Sequence, residues 1–371
     1  MKKIVLLVFL LTSFGFSQTQ TQIDSIHQVL AQLPNNAQLS VAIIDGEKVS
    51  YYGVKKEDGS IRTIQNKNNV YEIGSITKVM TSTILASLVH EGKIELKKPL
   101  QNYVPYPLKH GQKNGNTITI EMLSNHSSGL TRMPSGMIFD LLFRYNNPYV
   151  KYDLGRMEKY FKKKMKLNRN PGEKSEYSNI GVAYLGHVLE YVANKPYDEL
   201  LDHYVISKYN LSETSLDRKI IVDQLVKGID GDGKVVSNWD LNAFAPAGGL
   251  LSSVKDMSKF VQANFTNDPI LELQRKKTLQ YKDEIDIALG WLIFNKDGEK
   301  IYWHNGGTGG YTSAMALNIE KKTGAVILSN VSAFVEETRK LVGEDGVEAL
   351  QAFADSSQNL TNEMSKFFTR L

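Results

Sequence analysis

Residues 39–44 and 48–52 are β-prone runs on either side of Asp45 and Gly46, which predicts an antiparallel hairpin early in the chain. The period then changes. From Ser75 to His90 the apolar positions Val79, Met80, Ile84, Leu85, Leu88 and Val89 recur at helical spacing, with Gly92 as a stop, predicting an amphipathic helix that starts at Ser75. Between about 95 and 245, Pro and Gly punctuate helical stretches such as 180–193 and strand signals are few, which predicts a mostly helical insertion. Strand character returns at 287–294, 300–304, 312–319 and 325–330, with turns at 296–298 and 321–324. If these strands pair with the opening hairpin, both chain ends build one antiparallel sheet with flanking helices, an α/β (α+β) fold. The sheet region would span about 18–74 and 246–371 around the insertion, with a cleft between them. Beyond Val331 the pattern reads as helical in pieces, broken at Gly343 and Gly346.

The first residues add a location. Lys2 and Lys3 precede an apolar run at 4–11, and Gly15 and Ser17 suit a cleavage site, so residues 1–17 read as a signal peptide. The run is shorter than the roughly 20 residues that cross a bilayer, so a periplasmic or secreted protein without a stable membrane span is expected. Loss of that leader removes two lysines and no acids, taking the net charge from +4 to +2, too little to suggest a nucleic-acid partner. The lysines at 159, 162, 163, 164 and 166 alternate with Phe161, Met165 and Leu167 and read as a solvated face. The chain has no cysteine, which excludes disulfides, thiol chemistry and cysteine-ligated metals.

Candidate chemistry starts at the predicted helix. Ser75 and Lys78 stand one turn apart on one face, so the Lys78 amine can take the Ser75 proton during attack on a carbonyl. Ser252 and Lys255 repeat the spacing, so partners must decide between the copies. Such attack also needs a proton donor for the leaving group and hydrogen-bond donors for the oxyanion. In residues 171–179 (PGEKSEYSN), Tyr177 could shuttle a proton or pack as a half-buried aromatic. Asn179 could hold Lys78 or a substrate carbonyl, or cap the following helix. Tyr145 and Asn147 repeat this pattern too. Residues 303–311 (WHNGGTGGY) lie between β-prone runs, where glycines would let a substrate approach an edge-strand backbone or form a tight turn around a structural His304. A phosphate cradle is disfavoured, because no Gly-Lys-Ser/Thr ends the loop.

In order, Ser75 with Lys78, Tyr177 with Asn179, and His304 to Gly306 before a strand, the chain resembles the serine β-lactamase and penicillin-binding-protein superfamily. The resemblance is closest to its class C-like branch, which includes esterases and D-amino-acid peptidases. Residues 123–130 (LSNHSSGL), 171–179, 248–257 (GGLLSSVKDM) and 289–291 (LGW) carry it further. It implies Ser75 as nucleophile, Lys78 as its base and Tyr177 as proton relay, with an oxyanion hole at the backbone N–H groups of Ser75 and Gly307. It implies a small-molecule or peptide acyl substrate and no cofactor.

His304, Asn305 and Gly306 occupy the place of the family's Lys-Thr-Gly. Histidine is mostly neutral at pH 7, so the carboxylate contact of a lysine, worth roughly 1.5–3 kcal/mol, is expected to be missing there. Esterase or D-amino-acid peptidase activity is therefore expected over strong β-lactamase activity, with a hydrogen bond from His304 to Tyr177 or to substrate. A non-turnover penicillin-binding sensor of the same fold is the alternative. A metal hydrolase is more distant, because the seven histidines lack close ligand spacing.

Overall fold

Strand β1 (Gln38–Asp45) is buried along nearly its whole length, as expected of a strand covered on both faces. Its alternate residues serve different cores: Ala42 and Ile44 enter the main one, Leu39 and Val41 a second one beneath it. The computed structural model describes residues 26–332 apart from 28–29, 32, 138–139, 141–142, 145 and 297. The expected leader, the tail beyond Ser332 and Tyr145 thus lie outside the described residues.

β1 pairs on one side with β2 (Lys48–Glu57), which pairs with β3 (Ser60–Ile64). On its other side it meets the last strand, β13 (Thr323–Ser329), in the register Val41 opposite Ile327. From there β12 (Thr312–Asn318), β11 (Glu299–Gly307), β10 (Leu292–Lys296), β9 (Ile285–Ile287) and β8 (Leu279–Lys282) follow, giving nine antiparallel strands built from both chain ends. β4 (Val70–Glu72) pairs separately with β7 (Leu251–Ser253), and β5 (Gln112–Lys113) with β6 (Asn116–Thr117).

The strand expected at 287–294 is two strands. Gly290 has φ +73° between them, and a Cβ there would come within 2.7 Å of Ser82 Oγ and 2.9 Å of the Lys78 carbonyl. Only glycine lets this turn close over the helix that carries Lys78. β3 and β8, which no alternation signalled, are the sheet's two edges; their half-exposed, polar-rich sequences SIRTI and LQYK suit an edge facing water.

A 3-10 turn (Gly74–Ile76) leads into helix α1 (Thr77–His90), which ends where Gly92 (φ +72°) lets Lys93 N–H reach the Leu88 carbonyl at 3.0 Å. The expected amphipathic helix is buried on every side from Thr77 to Leu88. Its polar positions face neighbouring segments instead of water. Thr81 Oγ1 meets Tyr197 Oη and the Pro246 carbonyl, Ser82 Oγ meets Ser124 Oγ, and Thr83 Oγ1 donates to Gln274. Around it pack α2 (Asn179–Ala193), the short helix Ala245–Gly248 and α4 (Pro269–Arg275), while α3 (Val254–Ala263) covers β1 and β13. Among the described residues no helix is long and apolar enough to cross a membrane.

Candidate active site

Ser75 is fixed from its backbone outward. Gly74, at φ +50°, turns the chain from β4 into the 3-10 turn, and a Cβ on it would lie 2.6 Å from Gly307 N. A Cβ on Gly306 would lie 2.1 Å from the Ile73 carbonyl and 2.8 Å from Ser75 N. The end of β11 and the Ser75 turn therefore touch backbone to backbone, an approach that only glycine permits. Ser313 Oγ, opposite Gly306 on β12, holds the Ile73 carbonyl at 2.8 Å and locks the same junction.

Lys78 lies on the first turn of α1 and is wholly buried. Its Nζ is 2.9 Å from Ser75 Oγ and donates to the Ala247 carbonyl at 2.6 Å. No carboxylate pairs with it among the described residues. Burial, and then the charge of Arg132, hold its amine well below the usual lysine range. Once unprotonated, an amine so placed can keep an N–H on the Ala247 carbonyl and turn its lone pair to the serine hydroxyl.

Tyr177 comes from the loop ahead of α2. Lys78 Nζ lies 4.9 Å from its ring centre and the Arg132 guanidinium 5.2 Å. Burial pushes its phenol up to about 12, opposed by the neighbouring Ser75 hydroxyl and by Arg132. His126 packs beside it, its ring tilted 41° at 4.5 Å between ring centres, and accepts the Ser178 N–H on Nδ1 at 3.2 Å. That bond places the His126 proton on Nε2. Burial and the nearby Lys78 keep its imidazole neutral, well below the ordinary range.

His304 is buried on β11 with Nδ1 2.7 Å from the Asn305 carbonyl, and burial drives its pKa down to about 3, with Lys78 adding to the effect. The expected neutral imidazole is thus neutral for a second reason, its burial. The expected bond to Tyr177 is absent among the described residues: the rings are 6.5 Å apart and His304 spends Nδ1 on its own strand.

Asn179 does not hold Lys78, whose second partner is the Ala247 carbonyl. Nor does it cap α2: Ser178 does, its Oγ accepting Gly181 N–H at 3.0 Å, while Asn179 is the first helical residue with Nδ2 3.6 Å from Met133 Sδ. The duplicate pattern is accounted for elsewhere, as Asn147 pairs with Asp240.

Sequence reasoning passed over His126 and Arg132. Both lie in or just after the quoted 123–130 stretch, where a run of small polar residues breaks the apolar pattern. His126 stands at φ +62°, a left-handed position that a periodicity scan cannot see. The other quoted stretches also converge on α1: Leu250 N–H reaches Thr77 Oγ1 at 3.1 Å, and Gly290 closes over Lys78.

The comparisons agree with this geometry. Residues 26–344 match the family model described as Beta-lactamase. The D-alanyl-D-alanine-carboxypeptidase/endopeptidase AmpH of Escherichia coli (strain K12) is 26% identical over 318 residues, 78% of each chain. Protein flp of Staphylococcus aureus (strain N315) is 25% identical over 88% of this chain and 66% of its own length. Among solved structures, a β-lactamase/D-alanine carboxypeptidase from Yersinia pestis superposes with a TM-score of 0.69 at 22% identity, covering 91% of this chain and 96% of that one. A D-stereospecific amidohydrolase from Streptomyces gives 0.67 at 18% identity over 82% and 92%. The chain belongs to the β-lactamase family and is a β-lactamase-related serine hydrolase.

Proposed function

We propose that this protein is an exported hydrolase that forms an acyl-enzyme on Ser75 and releases it to water. The observation that carries this reading is the buried Lys78 amine, 2.9 Å from Ser75 Oγ and without a carboxylate partner among the described residues. Lys78 takes the hydroxyl proton as Ser75 Oγ attacks the substrate carbonyl, and the C–O bond forms as the carbonyl π electrons move onto oxygen. Backbone N–H groups of Ser75 and Gly307, brought together by Gly74 and Gly306, receive that oxyanion, and the start of α1 adds its positive dipole end. Tyr177 passes the proton to the leaving group as its bond to carbon breaks. A water then repeats the sequence on the acyl-enzyme and frees Ser75. Asn179, whose amide has only a long contact to Met133 Sδ, is assigned a substrate carbonyl.

An ester or D-amino-acid amide is the expected substrate, because the neutral His304 offers β11 no cation for a β-lactam carboxylate. Export rests on the 1–17 leader pattern. Intact-mass analysis after treatment with a fluorophosphonate tests the nucleophile: one adduct is expected on the native protein and none on Ser75→Ala, and an adduct on that variant overturns the assignment. In parallel assays, a short-chain ester and a D-amino-acid amide should be turned over and a cephalosporin poorly.

A further inference from the structure

Arg132 is the exception among the described arginines. Arg62, Arg144, Arg156, Arg169 and Arg218 each meet a carboxylate, and Arg275 donates to Asn264 Oδ1. Arg132 makes no hydrogen bond or ion pair from its side chain among the described residues, and its guanidinium rests 5.2 Å from the centre of the Tyr177 ring. A ring face holds a cation without neutralising it. Nor do its neighbours neutralise it: Lys78, His126 and His304 are basic groups with no negative charge to offer, and Tyr177 and Tyr149 are phenols held above their ordinary range. The surroundings of Tyr177 therefore carry a fixed, half-buried positive charge with five donors and no acceptor. A charge in that state is costly unless something pairs with it.

The position of the charge is specific. Arg132 follows the 123–130 loop, and its carbonyl accepts the N–H groups of Asn179 and Ile180 at 3.0 and 3.3 Å, so it is pinned to the start of α2. It comes from the segment tied to the start of α2, whereas His304 comes from β11. Tyr177, on which Arg132 rests, is the group assigned above to protonate the leaving group.

We propose that Arg132 holds a carboxylate carried by the leaving group, so that among the esters and amides this enzyme accepts, those with an anionic leaving group such as a C-terminal amino acid bind best. The inference rests on the acyl-enzyme reading for the meaning of "leaving group". It moves the substrate-binding cation from β11 to the loop before α2. A peptide's terminal carboxylate can rotate toward Arg132, while the carboxylate of a fused β-lactam is held at a fixed angle to its carbonyl. Bidentate pairing of guanidinium with carboxylate suits arginine in particular.

The test is binding to the Ser75→Ala protein, in which no turnover intervenes. N-acetyl-D-alanyl-D-alanine and its C-terminal amide are titrated by calorimetry. The free acid is expected to bind about ten-fold more tightly, in line with a charge-assisted pair. Adding Arg132→Gln should bring the ratio to about one, and Arg132→Lys should restore part of it. A ratio near one before the Arg132 change, or a ratio that survives Arg132→Gln, overturns the proposal. If Arg132→Gln does not fold, the Ser75→Ala protein still decides: the preference for the acid must shrink as salt rises from 0.05 to 0.5 M, and a salt-independent preference counts against Arg132. Failure of Ser75 to take a fluorophosphonate would end the acyl-enzyme reading and leave this binding ratio to stand by itself.

Discussion

Tyr71 lies opposite Ser252 across the β4–β7 ladder, so the chain's two Ser-x-x-Lys copies sit on neighbouring segments while their lysines end in opposite electrostatic settings. Ser75 lies in a 3-10 turn continuous with α1, so Lys78 returns to its side one turn later. Ser252 lies in an extended strand, and the helix begins only at Val254, capped by Ser253. Its Oγ pairs with Thr214 Oγ1 at 2.7 Å, and Lys255 leaves for Glu213 at 2.8 Å. That partner, with Lys255 a third exposed, raises its amine above the ordinary lysine value, whereas burial lowers Lys78. The pair shows that the spacing becomes chemistry only when the helix starts at the serine and no carboxylate waits for the amine.

The nucleophile is where the two copies should differ most. Ser75→Ala is expected to lower kcat for ester hydrolysis by about 10⁶-fold, as loss of a serine nucleophile does elsewhere. Ser252→Ala should leave kcat/KM within about two-fold, because its hydroxyl serves Thr214 and, at 3.5 Å, the Ser253 carbonyl, both away from Ser75. Steady-state rates with one chromogenic ester check both, and comparable losses would erase the distinction. Lys78→Ala should cost about 10²–10⁴-fold in kcat/KM, the usual range for a general base, with KM moving little.

The pH profile sharpens the contrast. Protonated Lys78 has no lone pair for Ser75, so kcat/KM should fall as pH drops through the lowered Lys78 pKa and be sustained above it. A limb at the ordinary lysine value would mean that burial does not set the amine. Stability has its own window through His304. The unfolded imidazole binds a proton near 6.5, while the folded one waits until about 3, so between those values the unfolded chain holds more protons. The stabilising contribution is therefore complete above 6.5 and is lost as pH falls toward 3. His126 acts in the same direction. Thermal melts should show Tm falling over that window, and His304→Asn should flatten the fall.

What the sequence made legible follows the same division. Strands such as 312–318 and the helix around Leu85 were readable from their runs of β-prone or periodically spaced apolar residues, although in the fold both are buried on every side. The edges β3 and β8 were not, since half-exposed strands need no alternation. Ser75, Lys78 and Tyr177 were readable because a reactive hydroxyl, amine and phenol at motif spacing are chemically conspicuous. Arg132 and His126 were not: an arginine matters here for the counter-ion it lacks among the described residues, and a histidine for the ring it packs against, and neither is encoded in a neighbouring position. The Lys78 partner was invisible for a plainer reason, being a backbone carbonyl of Ala247, 169 residues away in sequence.

The smallest expected effect belongs to Lys255 and is the one most able to break the comparison. Its ion pair with Glu213 is partly exposed, and such pairs contribute about 0.2–1 kcal/mol. Lys255→Ala should therefore lower Tm by about 1–3 °C, less in 0.5 M salt, and leave kcat/KM for the ester unchanged. Glu213 would keep its Ser253 hydroxyl partner at 2.5 Å, so the start of α3 should stay capped. A loss of activity approaching that of Lys78→Ala, without a matching loss of Tm, would mean that the second copy reaches the site through the β4–β7 ladder. The two lysines would then be parts of one device, and the absence of a carboxylate beside Lys78 would no longer be what separates them.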